Sequence, residues 1–377
     1  MKQIQMVDLQ QQYLNLQQEI DAGMAAVIAE AAFINGPAVG EFAERLAQFC
    51  QVNHVVPCAN GTDALQLAMM GLNLLPGGEI IMPAFTYVAV VEVACLLGFR
   101  PVLVDVDPDN FNIDVAQVER AITDRTAAIA VVHLFGQCAP MEEISALAQR
   151  HGLPVIEDTA QSIGSCYHFA DGSSAAAGTI GMVGTTSFFP SKNLGCYGDG
   201  GAVITQDATL AQAIRSMANH GQRTKYEYGR VGINSRLDTL QAAVLLAKLP
   251  HLHDFSARRQ AAANHYDEAL KDLSLLTVPA RMPYSDHVFH QYTLRVHHGQ
   301  RDTLRTHLQE QQVPSMIYYP SPMHLQAAYA DLGYQAGDFP VAEALCGEVL
   351  SLPMHPELTQ DQLEHITHHI FTFAQHG

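Results

Sequence analysis

A chain of 377 residues that is 48% hydrophobic and 15% charged holds enough apolar material for a large core, most simply divided over two domains, and is not a disordered polymer. Twenty Lys and Arg against 38 Asp and Glu leave a formal charge of −18, which repels polyanions and argues against a nucleic-acid partner. Seven scattered cysteines without a C-x-x-C pair argue against a disulfide framework or a zinc ribbon, so reduced thiols are expected. MKQIQMVDLQQQYLNLQ has no apolar core of a secretory signal, and no apolar run reaches the roughly 18 to 20 residues of a membrane span, so a cytoplasmic protein without membrane contact is expected.

In chain order, Leu16, Ile20, Met24, Val27 and Ile28 recur at helical spacing, and Val39, Phe42, Leu46 and Phe49 do so after the Asn35-Gly36-Pro37 break. Two helices therefore open the chain. HVVPC, EIIMPAF, PVLVDVD, AAIAVVHLF and PVIEDTA read as strands apolar on both faces, hence as a covered, mostly parallel sheet. Helical patterns over Ala64 to Leu72, Val90 to Leu97 and Met141 to Arg150 alternate with them, which gives a right-handed α/β fold. TTSFFP and GGAVIT end the sheet, and the glycine- and alanine-rich stretch from Asp171 to Gly184 reads as a mobile surface loop. After Ser235 a long helical stretch runs to about Leu275. A strand around HVFHQYTLRV, a helix over Asp302 to Gln311, a strand SMIYYP and a helix from Thr359 to Phe373 complete a second unit. The expected division is a large α/β domain over residues 1–250 and a small α+β domain over 251–377.

Five lysines occur, and Lys192 lies in SFFPSKNLGCYGDGG, between an apolar strand and a glycine cluster. A buried lysine sheds its proton readily and becomes a nucleophile toward carbonyls; a lysine capping a loop is the plainer alternative. No glycine precedes it in P-loop order, because Ser191 does, and Gly198, Gly200 and Gly201 make no dinucleotide fingerprint. In CANGTDALQLA, Asn60, Gly61 and Thr62 stand where a strand passes into a helix, so free amides and a hydroxyl suit a phosphate, or simply cap a helix. Asp158 ends the strand PVIED, where ligands of open α/β sheets gather. There a carboxylate needs a cation such as a protonated pyridine, unless it caps a helix or pairs with an arginine. Tyr87 in MPAFTYVA is placed to stack on a flat ring, or to fill the core. Taken together, these four features describe pyridoxal 5'-phosphate.

The order of NGTDAL, PAFTYVA, DVDPDNFNID, HLFGQCAPM, VIEDTAQSIG, SFFPSKNLGCYGDGG, GINSRLDTLQAA and MIYYPSPMH resembles the DegT/DnrJ group of pyridoxal-phosphate aminotransferases, from Val7 to Leu358. The resemblance implies the fold-type I architecture: a mostly parallel seven-stranded sheet flanked by helices, with a smaller α+β C-terminal domain. It makes Lys192 the residue that bonds the cofactor covalently and then shuttles a proton. It sets Asp158 on the pyridinium nitrogen, Gln161 on the ring hydroxyl, Gly61, Thr62 and Ser187 on the phosphate, and Tyr87 against the ring. Asn234, in the family's GxNxR pattern, is implied to reach the other subunit's phosphate, hence a homodimer with shared active sites. His220, Arg236, Tyr318 and His324 are the expected substrate contacts. Between residues 215 and 236, Arg215, Arg223, Lys225, Arg230 and Arg236 face a single acid, Glu227. Such a segment is either a solvated basic face or a site for nucleotide diphosphates, glutamate and sugar carboxylates.

The activity implied is transfer of an amino group from L-glutamate to a UDP- or dTDP-linked keto-hexose, giving an amino sugar for surface polysaccharide. SFFPSKNLGCYGDGGA with HGQ and GINSRLDTLQAA most resembles the relatives that use UDP-2-acetamido-2-deoxy-3-oxo-glucuronate. Other C3-aminating and C4-aminating enzymes share these motifs. A dehydratase of the same fold carries histidine at the lysine position, unlike Lys192, and a non-catalytic regulatory role is the alternative outside enzymology. Two departures from the pattern stand out: Thr159 in place of alanine, and the long segment HFADGSSAAAGTIGMVG. His365, His368 and His369 have helical spacing but no acid or cysteine set beside them, so a polar helix face and no metal are expected.

Overall fold

The computed structural model describes residues 3–376. Three helices, α1 (Leu9–Asn15), α2 (Gln17–Glu30) and α3 (Pro37–Cys50), precede β1 (His54–Cys58) and α4 (Gly61–Gly71). There follow β2 (Glu79–Pro83), α5 (Ala89–Leu96), β3 (Arg100–Val104), α6 (Val115–Ala121), β4 (Thr126–Val132), α7 (Met141–His151) and β5 (Val155–Asp158). A hairpin of β6 (Cys166–His168) and β7 (Ser174–Ala176) leads to β8 (Val183–Ser187), β9 (Gly201–Thr205) and α8 (Ala208–Ala218). A second hairpin, β10 (Gln222–Thr224) and β11 (Glu227–Tyr228), leads to α9 (Thr239–Lys248) and α10 (Leu252–Leu270). The chain closes with β12 (Leu276–Thr277), β13 (Tyr292–Val296), α11 (Arg301–Glu310), α12 (Pro340–Glu348), β14 (Val349–Leu352) and α13 (Gln360–His376).

Seven strands form one sheet in the order β1-β9-β8-β5-β4-β2-β3. Within it only β9 runs against its neighbours; β8, β5, β4, β2 and β3 pair in parallel. Alternating side chains divide between the two faces, as the pleat demands. Ile80, Met82, Ala128, Ala130 and Val132 pack with α4, α5 and α8, whereas Ile81, Ile129 and Val131 pack with α6 and α7. Val55, Ala202 and Ile204 meet α3 and α9. The strands expected from the apolar runs and the α/β class agree with this sheet.

The second core lies between an antiparallel sheet, β12-β13-β14, and α10, α11 and α13, with Tyr266, Tyr292, Leu294, Leu308, Leu350 and Ile366 inside. Each such fully buried apolar side chain contributes roughly 1.5–3 kcal/mol. Buried polar bonds fix the path of the chain on both sides of this core. Arg259, 2% exposed, donates to the carbonyls of Phe289 (3.1 Å) and Met354 (2.8 Å). Asp105, just beyond β3, accepts from the N–H groups of Val341 (2.9 Å) and Ala342 (2.8 Å), capping α12 from across the molecule.

Two expectations are corrected. SMIYYP is not a strand: only Met316 bridges, to Ser351. Pro314 and Pro320 bracket the segment and remove ladder donors, and Tyr319 turns inward. The stretch from Asp171 to Gly184 is not a free loop, because it supplies β7 and the start of β8, and between them the amides of Gly178, Ile180 and Gly181 donate to buried Glu157.

Candidate active site

Because β9 alone is reversed, the C-terminal ends of β1, β2, β4, β5 and β8 open on one edge of the sheet, and β9 starts there. That edge gathers Gly61 and Thr62 after β1, Tyr87 after β2, Asp158 at the end of β5, Ser187 at the end of β8, and Lys192 in the turn between β8 and β9.

At the start of α4, the Asn60 side chain accepts from the Asp63 N–H at 2.7 Å. This cap leaves the N–H groups of Gly61 and Thr62 to an acceptor from outside the helix. Ser187 lies hard against them: a Cβ on Gly61 would stand 2.7 Å from Ser187 Cβ, so only glycine lets the hydroxyl and the helix start meet. Two amides, a hydroxyl and the positive end of a helix dipole form an anion cradle.

Asp158 is buried, and among the described residues one hydrogen bond reaches its carboxylate, from the Ala160 N–H at 2.9 Å. Burial raises its pKa, while that hydrogen bond and the positive charge of Lys192 work in the opposite direction. A desolvated carboxylate so sparsely bonded is suited to a cationic N–H from a ligand. Desolvation pushes Lys192 down to about 8, against the pull of Asp158.

Gln161 is held at both ends: its Oε1 accepts from the Phe135 N–H (2.7 Å) and its Nε2 donates to the Tyr319 hydroxyl (3.0 Å). One amide hydrogen remains to point at a ligand. Tyr87 is 56% exposed, its ring 6.2 Å from that of Tyr319. Tyr318, half-buried, lies 6.1 Å from the Tyr319 ring. The donors present thus fit a flat, phosphorylated, protonated pyridine bearing an aldehyde and a hydroxyl.

The remaining expected residues lie elsewhere. His220, exposed with φ +60°, opens the bend into β10. Asn234 is exposed and bridges Asn219, and Arg236 lines a cavity of about 460 Å³ with Asn35, Arg215 and Asn219. No hydrogen bond or ion pair among the described residues joins these three to Lys192 or Asp158. Arg215 also lines, with Arg223 and Arg230, an adjoining open cavity of about 810 Å³. His324 is 2% exposed, its Nε2 2.9 Å from Glu343 Oε1 and its ring edge-on to Phe339, so the imidazole is committed to the fold rather than open to a substrate.

Residues not singled out from the sequence support the site from beneath. Glu157, fully buried, accepts from the N–H groups of Gly178 (2.9 Å), Ile180 (2.8 Å) and Gly181 and from His133 Nε2 (2.9 Å). His133 Nδ1 accepts from the Ala139 N–H, which fixes the tautomer with hydrogen on Nε2. His290, buried near Lys192, is pushed well below the usual histidine range by desolvation and by the charges of Lys192 and Arg259. The adjacency of Glu157 and Asp158 held a legible signal: neighbours on a strand face opposite ways, so two buried acids in succession need two separate partners.

A family model, the DegT/DnrJ/EryC1/StrS aminotransferase family, matches residues 15–371. A "pleiotropic regulatory protein" of Geobacillus stearothermophilus is 43% identical over 375 residues, 99% of each chain. The UDP-2-acetamido-2-deoxy-3-oxo-D-glucuronate aminotransferase of Pseudomonas aeruginosa is 45% identical over 355 residues, covering 94% of this chain and 96% of that one. Among solved structures, S. venezuelae DesV in complex with a ketimine intermediate superposes with a TM-score of 0.95 at 39% identity, covering 100% of this chain and 99% of that one.

Proposed function

The chain belongs to the DegT/DnrJ/EryC1/StrS aminotransferase family, and from that membership we propose that it moves an amino group from L-glutamate to a nucleotide-linked keto-sugar. It is a pyridoxal-phosphate-dependent nucleotide-sugar aminotransferase, and its substrate in this reading is UDP-2-acetamido-2-deoxy-3-oxo-glucuronate, the sugar named for the Pseudomonas relative. The observation that carries the reading is the pairing of a desolvated amine at Lys192 with a buried, sparsely bonded carboxylate at Asp158, beside a helix start with free amides.

When bound, pyridoxal phosphate supplies an electron sink that stabilises negative charge on the carbon bearing the nitrogen. The chain's own residues do the rest. Lys192 Nζ would hold the aldehyde until the donor's amine displaces it, and the freed Nζ would then take the proton from the amino-bearing carbon of the donor. In the second half it returns a proton to the sugar carbon that receives the nitrogen. Asp158 keeps a proton on the ring nitrogen, Gly61, Thr62 and Ser187 hold the phosphate, and Tyr87 flanks the ring. Gln161 gives its remaining amide hydrogen to the ring hydroxyl. Tyr318 borders the same cleft.

Asn234, Arg236 and His220 complete the site of a second copy in a homodimer. The exposure of Asn234 and His220, with Tyr226 (78%), Tyr228 (60%) and Val231 (85%) exposed on the same segment, supports this assignment. The arginines of residues 215–236 then meet the substrate's diphosphate or carboxylate.

The test is single-turnover: the pyridoxal form treated with L-glutamate should lose its visible absorbance and release 2-oxoglutarate. Of a panel of nucleotide keto-sugars, the 3-oxo-glucuronate derivative should restore that absorbance. Restoration only by a 4-keto-6-deoxy sugar would move the assignment to a C4-aminating enzyme. The name of the Geobacillus relative favours a second, regulatory reading; binding of the cofactor without any response to glutamate would support it.

A further inference from the structure

The hairpin that distinguishes the stretch before β8 carries a set of side chains the transfer chemistry does not use. Cys166 and His168 stand two apart on β6, so the pleat turns both toward one side. The chain segment after Pro283 lies antiparallel along β6. Tyr167 bridges Ser285, the Asp286 N–H donates to the Cys166 carbonyl at 2.9 Å, and the His168 N–H donates to the Tyr284 carbonyl at 2.8 Å. This register sets Asp286 directly opposite Cys166 and diagonal to His168. One ligand atom each from Cys166, His168 and Asp286 falls within 4.8 Å of the others, and His168 Nε2 already lies 3.0 Å from Asp286 Oδ1. Cys166 is half-buried, while His168 and Asp286 are partly open to water.

We propose that Cys166, His168 and Asp286 form a binding site for a divalent transition-metal ion of the zinc class. Sulfur, imidazole nitrogen and carboxylate oxygen are the three donor types zinc takes, and three protein ligands leave the fourth tetrahedral position to water. The bonds formed are metal–Sγ, metal–Nε2 and metal–Oδ. The thiol proton leaves to solvent, and the Nε2 hydrogen that His168 gives to Asp286 is exchanged through water so that the ring carries its single hydrogen on Nδ1; the His168–Asp286 hydrogen bond thereby gives way to two metal bonds. Oxidation states do not change.

The backbone is prepared for this role. Ser165 Oγ donates to the Asp286 carbonyl, which ties the facing segment to the residue before Cys166, and the Cys138 N–H donates to Ser285 Oγ at 2.9 Å, which fixes the residue before Asp286. A metal here fastens the β6–β7 hairpin to the chain that leads into β13, a junction between the large sheet and the second core. The site is independent of the aminotransferase reading, because none of its ligands touches the cofactor cleft.

The test uses full-length holoenzyme cleared of metal with a chelator, then titrated with Zn²⁺ against a chromophoric competitor, with X-ray absorption at the zinc edge to count sulfur neighbours. One tight zinc per chain with one sulfur neighbour is expected. Cys166→Ser should remove the sulfur signal and His168→Asn should weaken binding by about tenfold or more. Because nineteen histidines offer other sites, a His365→Ala/His369→Ala double variant serves as control and should leave the tight site unchanged. A zinc shell without sulfur, or an affinity untouched by Cys166→Ser and His168→Asn in chains that still bind pyridoxal phosphate, overturns the proposal.

Discussion

Lys192 and Lys248 offer a comparison within one molecule. Burial pushes both amines down to about 8. Lys248 is 1% exposed, donates to the Gly195 carbonyl at 2.7 Å and lies 4.5 Å from the centre of the Tyr197 ring, whereas Lys192 keeps an open face in the cleft. At pH 7.5 an amine with a pKa near 8 is roughly one-quarter neutral, against about one in a thousand for an ordinary lysine, so Lys192 holds about 200-fold more of its nucleophilic form. Competitive acetylation of the cofactor-free chain at a series of pH values, with each lysine quantified by mass spectrometry, measures this directly. Lys192 should show its inflection near pH 8, while Lys271, which the exposed Glu268 holds above the ordinary value, inflects higher. Lys248 should label slowly at every pH because reagent cannot reach it. Since Asp158 pulls the Lys192 pKa upward, Asp158→Asn should move the Lys192 inflection to lower pH. An inflection of Lys192 coincident with that of Lys271, or an upward move in Asp158→Asn, would refute the argument that desolvation prepares this amine.

Glu157→Gln keeps the shape but sets an amide NH₂ against two of the four donors that the carboxylate accepts; a loss of about 3–5 kcal/mol in urea unfolding is expected, and a loss below about 1 kcal/mol would show that the network is dispensable. Asp105→Ala leaves the Ala342 N–H buried and unpaired and the Val341 N–H without its partner at the start of α12, so it should cost about 1–3 kcal/mol in the same assay, with Asp105→Asn recovering part of that. Lys192→Ala should abolish transfer from glutamate while far-ultraviolet circular dichroism stays unchanged. His324→Gln should lower stability without altering the choice among nucleotide sugars, because its imidazole bonds Glu343 rather than facing the cleft; a changed sugar preference would restore it as a substrate contact.

The sequence by itself determined the sheet strands, since five-residue runs such as EIIMP and GAVIT, apolar on both faces, have no stable place except between two layers of helices. It singled out Lys192, Asp158 and the Asn60-Gly61-Thr62 helix start as candidates for a related reason: a charged or amide-rich residue abutting an apolar strand demands a partner, and that demand is local. Tertiary structure decided what depends on contacts between distant segments. Of the neighbours in Tyr318-Tyr319, the one that bonds Gln161 is Tyr319, because the chain between Pro314 and Pro320 turns inward instead of extending as a strand. Glu157 acquired its partners from glycine-rich residues 178–181, whose composition suggests a loop and whose amides become ligands only when β8 folds beside β5. His324 looked available in MIYYPSPMH and is closed off by Glu343 of α12, nineteen residues further along. Strand propensity and helix capping are properties of neighbouring residues, whereas burial and partnership depend on the path of the whole chain, and the cleft is made of both.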